Sequence, residues 1–164
     1  MAGAETANLL AAYSAAMPQA SAADRLIAML SGSNFWIRSV LFAERYAARR
    51  RAAVYMYSLD WQSPVHGGRL KAHHAMDLPF VFDNIDVPDT TAGAPDAREL
   101  AARISATWVA FARNGTPDSS GIPPWPRYTG QDRATMILDT TCRIARDPDR
   151  EMRLLWSRVA AGSS

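Results

Sequence analysis

The run Ala53-Val54-Tyr55-Met56-Tyr57-Ser58-Leu59 constrains the fold more than any other stretch of this chain. It is short and apolar at nearly every position, with Arg49-Arg50-Arg51 before it and Asp60-Trp61 after it, which reads as a β-strand. A strand that alternates apolar and polar residues can leave one face in water, whereas one that is apolar on both faces needs cover on both. The pattern therefore predicts a central strand of a parallel sheet, and an α/β architecture with helices packed on that sheet.

The flanking segments supply those helices. Residues 1–20 are Ala-rich and hold Leu9, Leu10 and Tyr13, which predicts a short helix before Pro18. Ser21 with Asp24 three residues on resembles an N-cap pair, and Leu26, Ile27 and Leu30 form an apolar stripe expected to end at Gly32. Asn34 is then expected to cap a second helix carrying Phe35, Trp36, Val40, Leu41 and Tyr46, closed by Arg49–Arg51 at the negative end of its dipole. Leu78 to Phe82 is a second apolar block, and residues 83–95, with Asp83, Asp86, Pro88, Asp89 and Gly93, read as a surface loop. Asp96 and Glu99 predict a capping pair for the clearest helix, whose stripe is Leu100, Ile104, Trp108 and Phe111 and whose stop is Asn114-Gly115. Pro117 to Tyr128 reads as an irregular segment anchored by Trp125 and Tyr128, Thr135 to Leu138 as a short strand, and Asp149 to Ala160 as a last helix.

A chain of 164 residues suits one domain, so residues 1–164 are read as a single unit. The hydrophobic share of 48% and charged share of 21% exclude disordered and collagen-like classes. A net charge of +2 does not single out nucleic acid as a partner, and the Arg49–Arg51 run has no interleaved aromatics and reads as a solvated helix end. Cys142 is the lone cysteine, which excludes an intrachain disulfide; with Arg143 and Arg146 near it, it reads first as a buried, inert thiol. Asp, Arg or Pro is expected to interrupt every apolar stretch short of a membrane span, and no secretory leader pattern is present, so the expectation is a cytoplasmic protein without membrane contact.

His66, His73 and His74 fall close together, and they are the groups whose unperturbed pKa suits proton transfer near neutrality. A metal set of His73, His74 and Asp77 lacks a fourth ligand, and adjacent histidines point apart. His66-Gly67-Gly68 looks like an oxyanion loop of esterases, whose glycines let backbone N–H groups approach a developing negative charge. The plainer reading is that all three are loop or packing histidines.

The context of His74 shifts the weighting. Val54 to Trp61, then Ser63-Pro64, Gly68 and His74-Ala75-Met76-Asp77-Leu78-Pro79-Phe80-Val81-Phe82, resembles the C-terminal region of type-B carboxylesterases, the cholinesterase-like α/β-hydrolases. The resemblance continues through Leu100-Ala101, Trp108, Phe111 to Pro117 and Trp125-Pro126-Arg127-Tyr128, and covers about residues 20–150. It implies the C-terminal portion of an α/β-hydrolase fold, with few parallel strands, packed helices and an incomplete sheet. It also implies carboxylic-ester hydrolysis with His74 as the triad base, Asp77 as a residue that orders the loop, and no cofactor or metal. The resemblance places an Asp where this chain has Gly32.

Chain order in this class is nucleophile, acid, histidine, and no Gly-x-Ser-x-Gly occurs before His74. Ser14, Ser21, Ser31, Ser33, Ser39, Ser58 and Ser63 lack the flanking glycines, and Glu5, Asp24, Glu44 and Asp60 match no acid segment of the family. His66-Gly67-Gly68 follows the place such an oxyanion loop would take. Two functions remain in view. One is a carboxylesterase portion that carries the base, is inactive alone, and meets a small-molecule ester when complemented. The other is a non-catalytic binding or structural remnant that associates with a partner chain, or with itself, through an exposed sheet edge. A small independent esterase pairing His74 with a serine outside the family pattern is a third reading.

Overall fold

The computed structural model of the protein describes residues 3–87 and 89–161, with side chains from residue 6 onward. Met1 and Ala2 of the first expected helix and Pro88 of the expected loop lie outside the described residues. A three-stranded sheet in the order β1-β2-β3 organises the chain, with β1 at Met56–Leu59, β2 at Ala134–Leu138 and β3 at Arg143–Arg146. β1 runs parallel to β2, with Met56 opposite Thr135, and β2 runs antiparallel to β3, with Met136 opposite Ile144. The predicted strand 53–59 is thus parallel as expected, but shorter and not central. β2 occupies one edge of β1, and among the described residues no strand pairs with its other edge.

The sheet separates two layers. On one face Tyr57, Leu59, Met136 and Leu138 pack against α5 (Pro95–Asn114) and α4 (Asp77–Val81), where Phe80 and Leu100 are fully buried. On the other face Met56 joins a helical cluster built from α1 (Gly3–Ala16), α2 (Ala22–Ser31), α3 (Ile37–Ala48) and α6 (Arg150–Ala161). This is a partial α/β fold: sheet in the middle, helices outside.

Local signals account for much of it. Ser21 and Asp24 form the capping box of α2, with the Asp24 amide 3.1 Å from the Ser21 hydroxyl that accepts from it. α5 stops at Gly115, whose φ of 73° needs the left-handed region and whose N–H reaches the Phe111 carbonyl at 2.8 Å. The start of α5 departs from expectation. Asp96 does not pair with Glu99; its carboxylate instead accepts from the Trp61 indole N–H at 2.8 Å and from the Thr140 hydroxyl at 3.3 Å, tying the exit of β1 to the β2–β3 turn.

Three further expectations are corrected. Gly32 does not end a helix: α2 runs through a π turn, Gly32–Trp36, directly into α3, and Asn34 caps nothing. The stripe of Leu26, Ile27 and Leu30 faces outward, at 51–62% exposure, while Met29, Gly32, Ile37, Val40 and Ala43 face the core. β3 was not foreseen, because Arg-Ile-Ala-Arg is too polar to read as a strand; it is an edge strand, where terminal charge blunts further pairing. The fused helix Ala22–Ala48 is also long and apolar enough, by length and composition, to cross a membrane, contrary to the expected interruption. Arg38 is the single charged residue between Leu26 and Ala43.

Candidate active site

The loop after β1 carries the histidines. Asp60 and Trp61 donate backbone N–H groups to the Leu138 carbonyl at 2.9 and 3.3 Å, so the chain leaves the sheet at the C-terminal end of its parallel pair. Ligand sites of open α/β sheets gather at that end. A turn at Val65–Gly68 then reverses the chain through three left-handed residues, His66 (φ 53°), Gly67 (φ 67°) and Gly68 (φ 80°). His66 is exposed at this turn, apart from His73 and His74 in the chain's path.

His74 follows, and Ala75 after it takes φ 63°, a conformation that costs an L-residue about 1–2 kcal/mol. Met76, buried at 1% exposure, and α4 behind it hold the chain in that turn. The Tyr57 hydroxyl donates to the Asp77 carboxylate at 2.6 Å, which fastens the start of α4 to β1. Burial, and then that bond, push the Tyr57 phenol well above its ordinary range, so it stays a donor. Asp77 therefore orders the loop.

The two adjacent histidines are held differently. The Nδ1 of His73 lies 2.9 Å from the His74 carbonyl. A carbonyl only accepts, so Nδ1 carries the proton and the bond restrains the backbone of His74. The Nε2 of His73 is buried without a partner. The His74 ring is exposed, and among the described residues neither of its nitrogens is hydrogen-bonded. Its ordered contact is a stack on Phe35, with ring centroids 4.7 Å apart and planes inclined by 23°. Phe35 was expected to line a buried helix stripe; the π turn instead leaves it 54% exposed beneath the imidazole.

Several of the hydroxyls and carboxylates named from the sequence are engaged elsewhere, while Ser14 and Ser31 are exposed. Ser63 is buried and donates to the Thr90 carbonyl at 2.6 Å, and Ser58 donates to Asp60 at 2.7 Å. Ser33 and Ser39 donate to the carbonyls of Leu30 and Phe35, both at 3.0 Å. Asp24 is held by Ser21, and Glu44 pairs with Arg133 at 2.8 Å; the side chain of Glu5 lies outside the described residues. Cys142 is buried in the β2–β3 hairpin, its thiol 3.4 Å from the Asp139 carbonyl. Among the described residues, no three His, Cys, Asp or Glu side chains converge as metal ligands, and His73, His74 and Asp77 do not form such a set.

The other face of the sheet holds a polar cavity of about 220 Å³, roofed by Trp36 and Val40 of the fused helix. Beside it Arg153 grips Asp147 through two bonds of 2.6 and 2.8 Å, which hold that carboxyl below its ordinary range. The free edge of β1 lies between two apolar hollows. One, of about 190 Å³, is lined by Tyr55, Tyr57, Trp108 and Trp125; the other, of about 560 Å³, by Phe35, Phe42 and Tyr46.

Comparison with known proteins identifies the family and the fold. Residues 5–156 match the carboxylesterase family. The para-nitrobenzyl esterase of Bacillus subtilis is 36% identical over 130 residues, which is 77% of this chain and 26% of that protein. Phenmedipham hydrolase of Pseudarthrobacter oxydans is 32% identical over 64% of this chain and 22% of its own length. Among solved structures, a carboxylesterase of Geobacillus stearothermophilus superposes with a TM-score of 0.78 at 28% identity, covering 95% of this chain and 32% of its own. A thermophilic PNB esterase superposes with a TM-score of 0.71 at 33% identity, covering 90% and 30%. The chain thus spans about a quarter of the length of the curated relatives it matches.

Proposed function

The chain belongs to the carboxylesterase family, and on that premise we propose that His74 is the general base of a serine-dependent carboxylic-ester hydrolase whose nucleophile, orienting acid and oxyanion donors come from outside these 164 residues. The observation that carries the reading is the His74 ring itself: exposed, without a hydrogen bond at either nitrogen among the described residues, and carried on the loop that follows the parallel strand β1. In acyl transfer such an imidazole takes the proton of a serine hydroxyl as it attacks the ester carbonyl, then returns it to the departing alcohol. A carboxylate on its second nitrogen fixes the tautomer. The substrate is a small-molecule ester.

The complement docks through the sheet. β1 offers an unpaired edge between two apolar hollows, which suits a parallel strand whose side chains alternate into one hollow and the other. The same edge is the surface through which copies of the chain self-associate when no complement is present.

Mixing the purified chain with an N-terminal carboxylesterase segment that carries Gly-x-Ser-x-Gly, and assaying an aryl acetate, tests the proposal. The chain alone is expected to give background rates. The associated pair is expected to hydrolyse the ester, and His74→Gln in the pair to lose at least about 10³-fold in kcat. Hydrolysis by the chain alone that disappears in H74Q would refute the need for outside residues. A folded, associated pair without activity would remove the base assignment and favour the second reading, a non-catalytic associating module, for which the outward-facing Leu26, Ile27 and Leu30 speak.

A further inference from the structure

Phe35 reaches His74 because of an irregularity in the long helix. In the π turn the Ile37 amide bonds to the Gly32 carbonyl, five residues back, so the turn holds one residue more than an α-turn. One extra residue rotates everything beyond it by about 100° relative to an unbroken helix. Gly32 opens the turn with ordinary helical angles, φ −58° and ψ −45°, and its missing side chain serves close packing instead. A Cβ there would lie 2.4 Å from the Tyr13 hydroxyl and 2.8 Å from the Trp156 indole nitrogen, so any side chain would displace one or both.

Those two groups are themselves locked. The Trp156 indole N–H donates to the Tyr13 oxygen at 3.0 Å, with both rings buried at the junction of α1 and α6. Where the family resemblance places an aspartate, this chain places Gly32, and the Tyr13 hydroxyl fills the space and satisfies the indole. Past that clamp, the polar groups of the π turn are tied down from outside. The Ser39 hydroxyl donates to the Phe35 carbonyl at 3.0 Å, and the Arg38 guanidinium to the Ser33 carbonyl at 3.4 Å. The Phe35 backbone is therefore held while its ring leaves the helical layer.

The ring meets an imidazole that is otherwise fixed only through its backbone, by the bond from His73 and the left-handed Ala75. We infer that Phe35 is a positioning residue for the His74 imidazole, held beneath it by the π turn Gly32–Trp36. The stack at 4.7 Å and 23° covers one face of the imidazole and leaves its edge, which carries both nitrogens, uncovered by Phe35. It limits rotation about the last side-chain bond of His74, the motion that would carry Nε2 away from a serine hydroxyl. The role in catalysis rests on the base assignment for His74, whereas the ring contact does not.

The test has two arms on the full chain. In the first, the His74 ring protons are observed by NMR in the wild type, Phe35→Leu and Phe35→Tyr. F35L is expected to move them downfield and to lose cross-peaks to residue 35, while F35Y retains both features; unchanged ring-proton shifts in F35L overturn the inference. In the second, the variants are paired with the complementing segment. F35L is expected to lower kcat about 10–100-fold with KM unchanged, the cost of a base misplaced by a fraction of an ångström to an ångström, and F35Y to restore it. An unaltered kcat in F35L overturns the positioning role even if the ring contact is lost. If the wild-type pair has no activity, the base assignment fails separately, and the NMR arm still decides whether Phe35 holds the ring.

Discussion

The two faces of the sheet are covered by different physics. Toward α5 the centre of the contact is apolar and tightly buried: Leu100, Ile104, Met136 and Leu138 are each at most 1% exposed. Toward α3 and α6 the sheet presents Ser58 and Thr135 to a polar cavity, and the cover is held in part by charge, Arg153 to Asp147 and Arg133 to Glu44. The burial of Leu100, Ile104, Met136 and Leu138 depends on area and is indifferent to pH. Cohesion on the second depends on a carboxylate staying ionised. Helix 22–48 closes the second face, and its π turn projects Phe35 toward His74, so the more adjustable side of the sheet is also the side that reaches the candidate site.

The sharpest way to break the contrast is to excavate the apolar face. Leu100→Ala should cost about 2–5 kcal/mol in denaturant unfolding, by the same amount at pH 7 and at pH 3.5. Arg153→Ala should cost about 2–3 kcal/mol at pH 7, below the ~3–5 kcal/mol of a fully buried pair because its partners retain 10% and 15% exposure. That loss should shrink with acid. The folded-state pKa of Asp147 is lowered, chiefly by its bonds from Arg153, so its contribution is complete above the ordinary aspartate pKa of about 3.9 and disappears as the pH falls through the lowered value. A Leu100→Ala penalty that followed pH, or an Arg153→Ala penalty that did not, would merge the two faces into one kind of core.

The smallest effect concerns the seam between sheet and site. Tyr57→Phe removes the bond to Asp77 and should cost about 1 kcal/mol globally. Amide exchange should rise selectively at residues 73–77. Uniform exchange changes along the chain would mean that the bond only adds stability and does not order the loop.

How much of this was legible differs from element to element. The α2 capping box, the Gly115 stop and the buried Trp125 and Tyr128 were readable because each signal lies within a few residues of its effect. The family was readable through the motif around His74. Phe35 was not: its spacing fits a helix stripe, and the phase shift that turns it outward depends on a turn type that local pattern does not specify. β3 was missed because its end residues are arginines, which suit an edge and disguise a strand. The outward turn of Leu26, Ile27 and Leu30 was missed because periodicity identifies a face of a helix without saying what covers it.

By itself, the sequence determined a parallel strand, the helices around it and the family motif that contains His74, since propensity, capping and motif act over short distances along the chain. Tertiary structure alone decided that Gly32 would continue a helix instead of ending it. A glycine costs a helix interior about 1 kcal/mol, and here packing against Tyr13 and Trp156, from near opposite ends of the chain, makes the absence of a side chain the condition for close approach. The same stretch makes the π turn and leaves Phe35 exposed beneath the His74 ring.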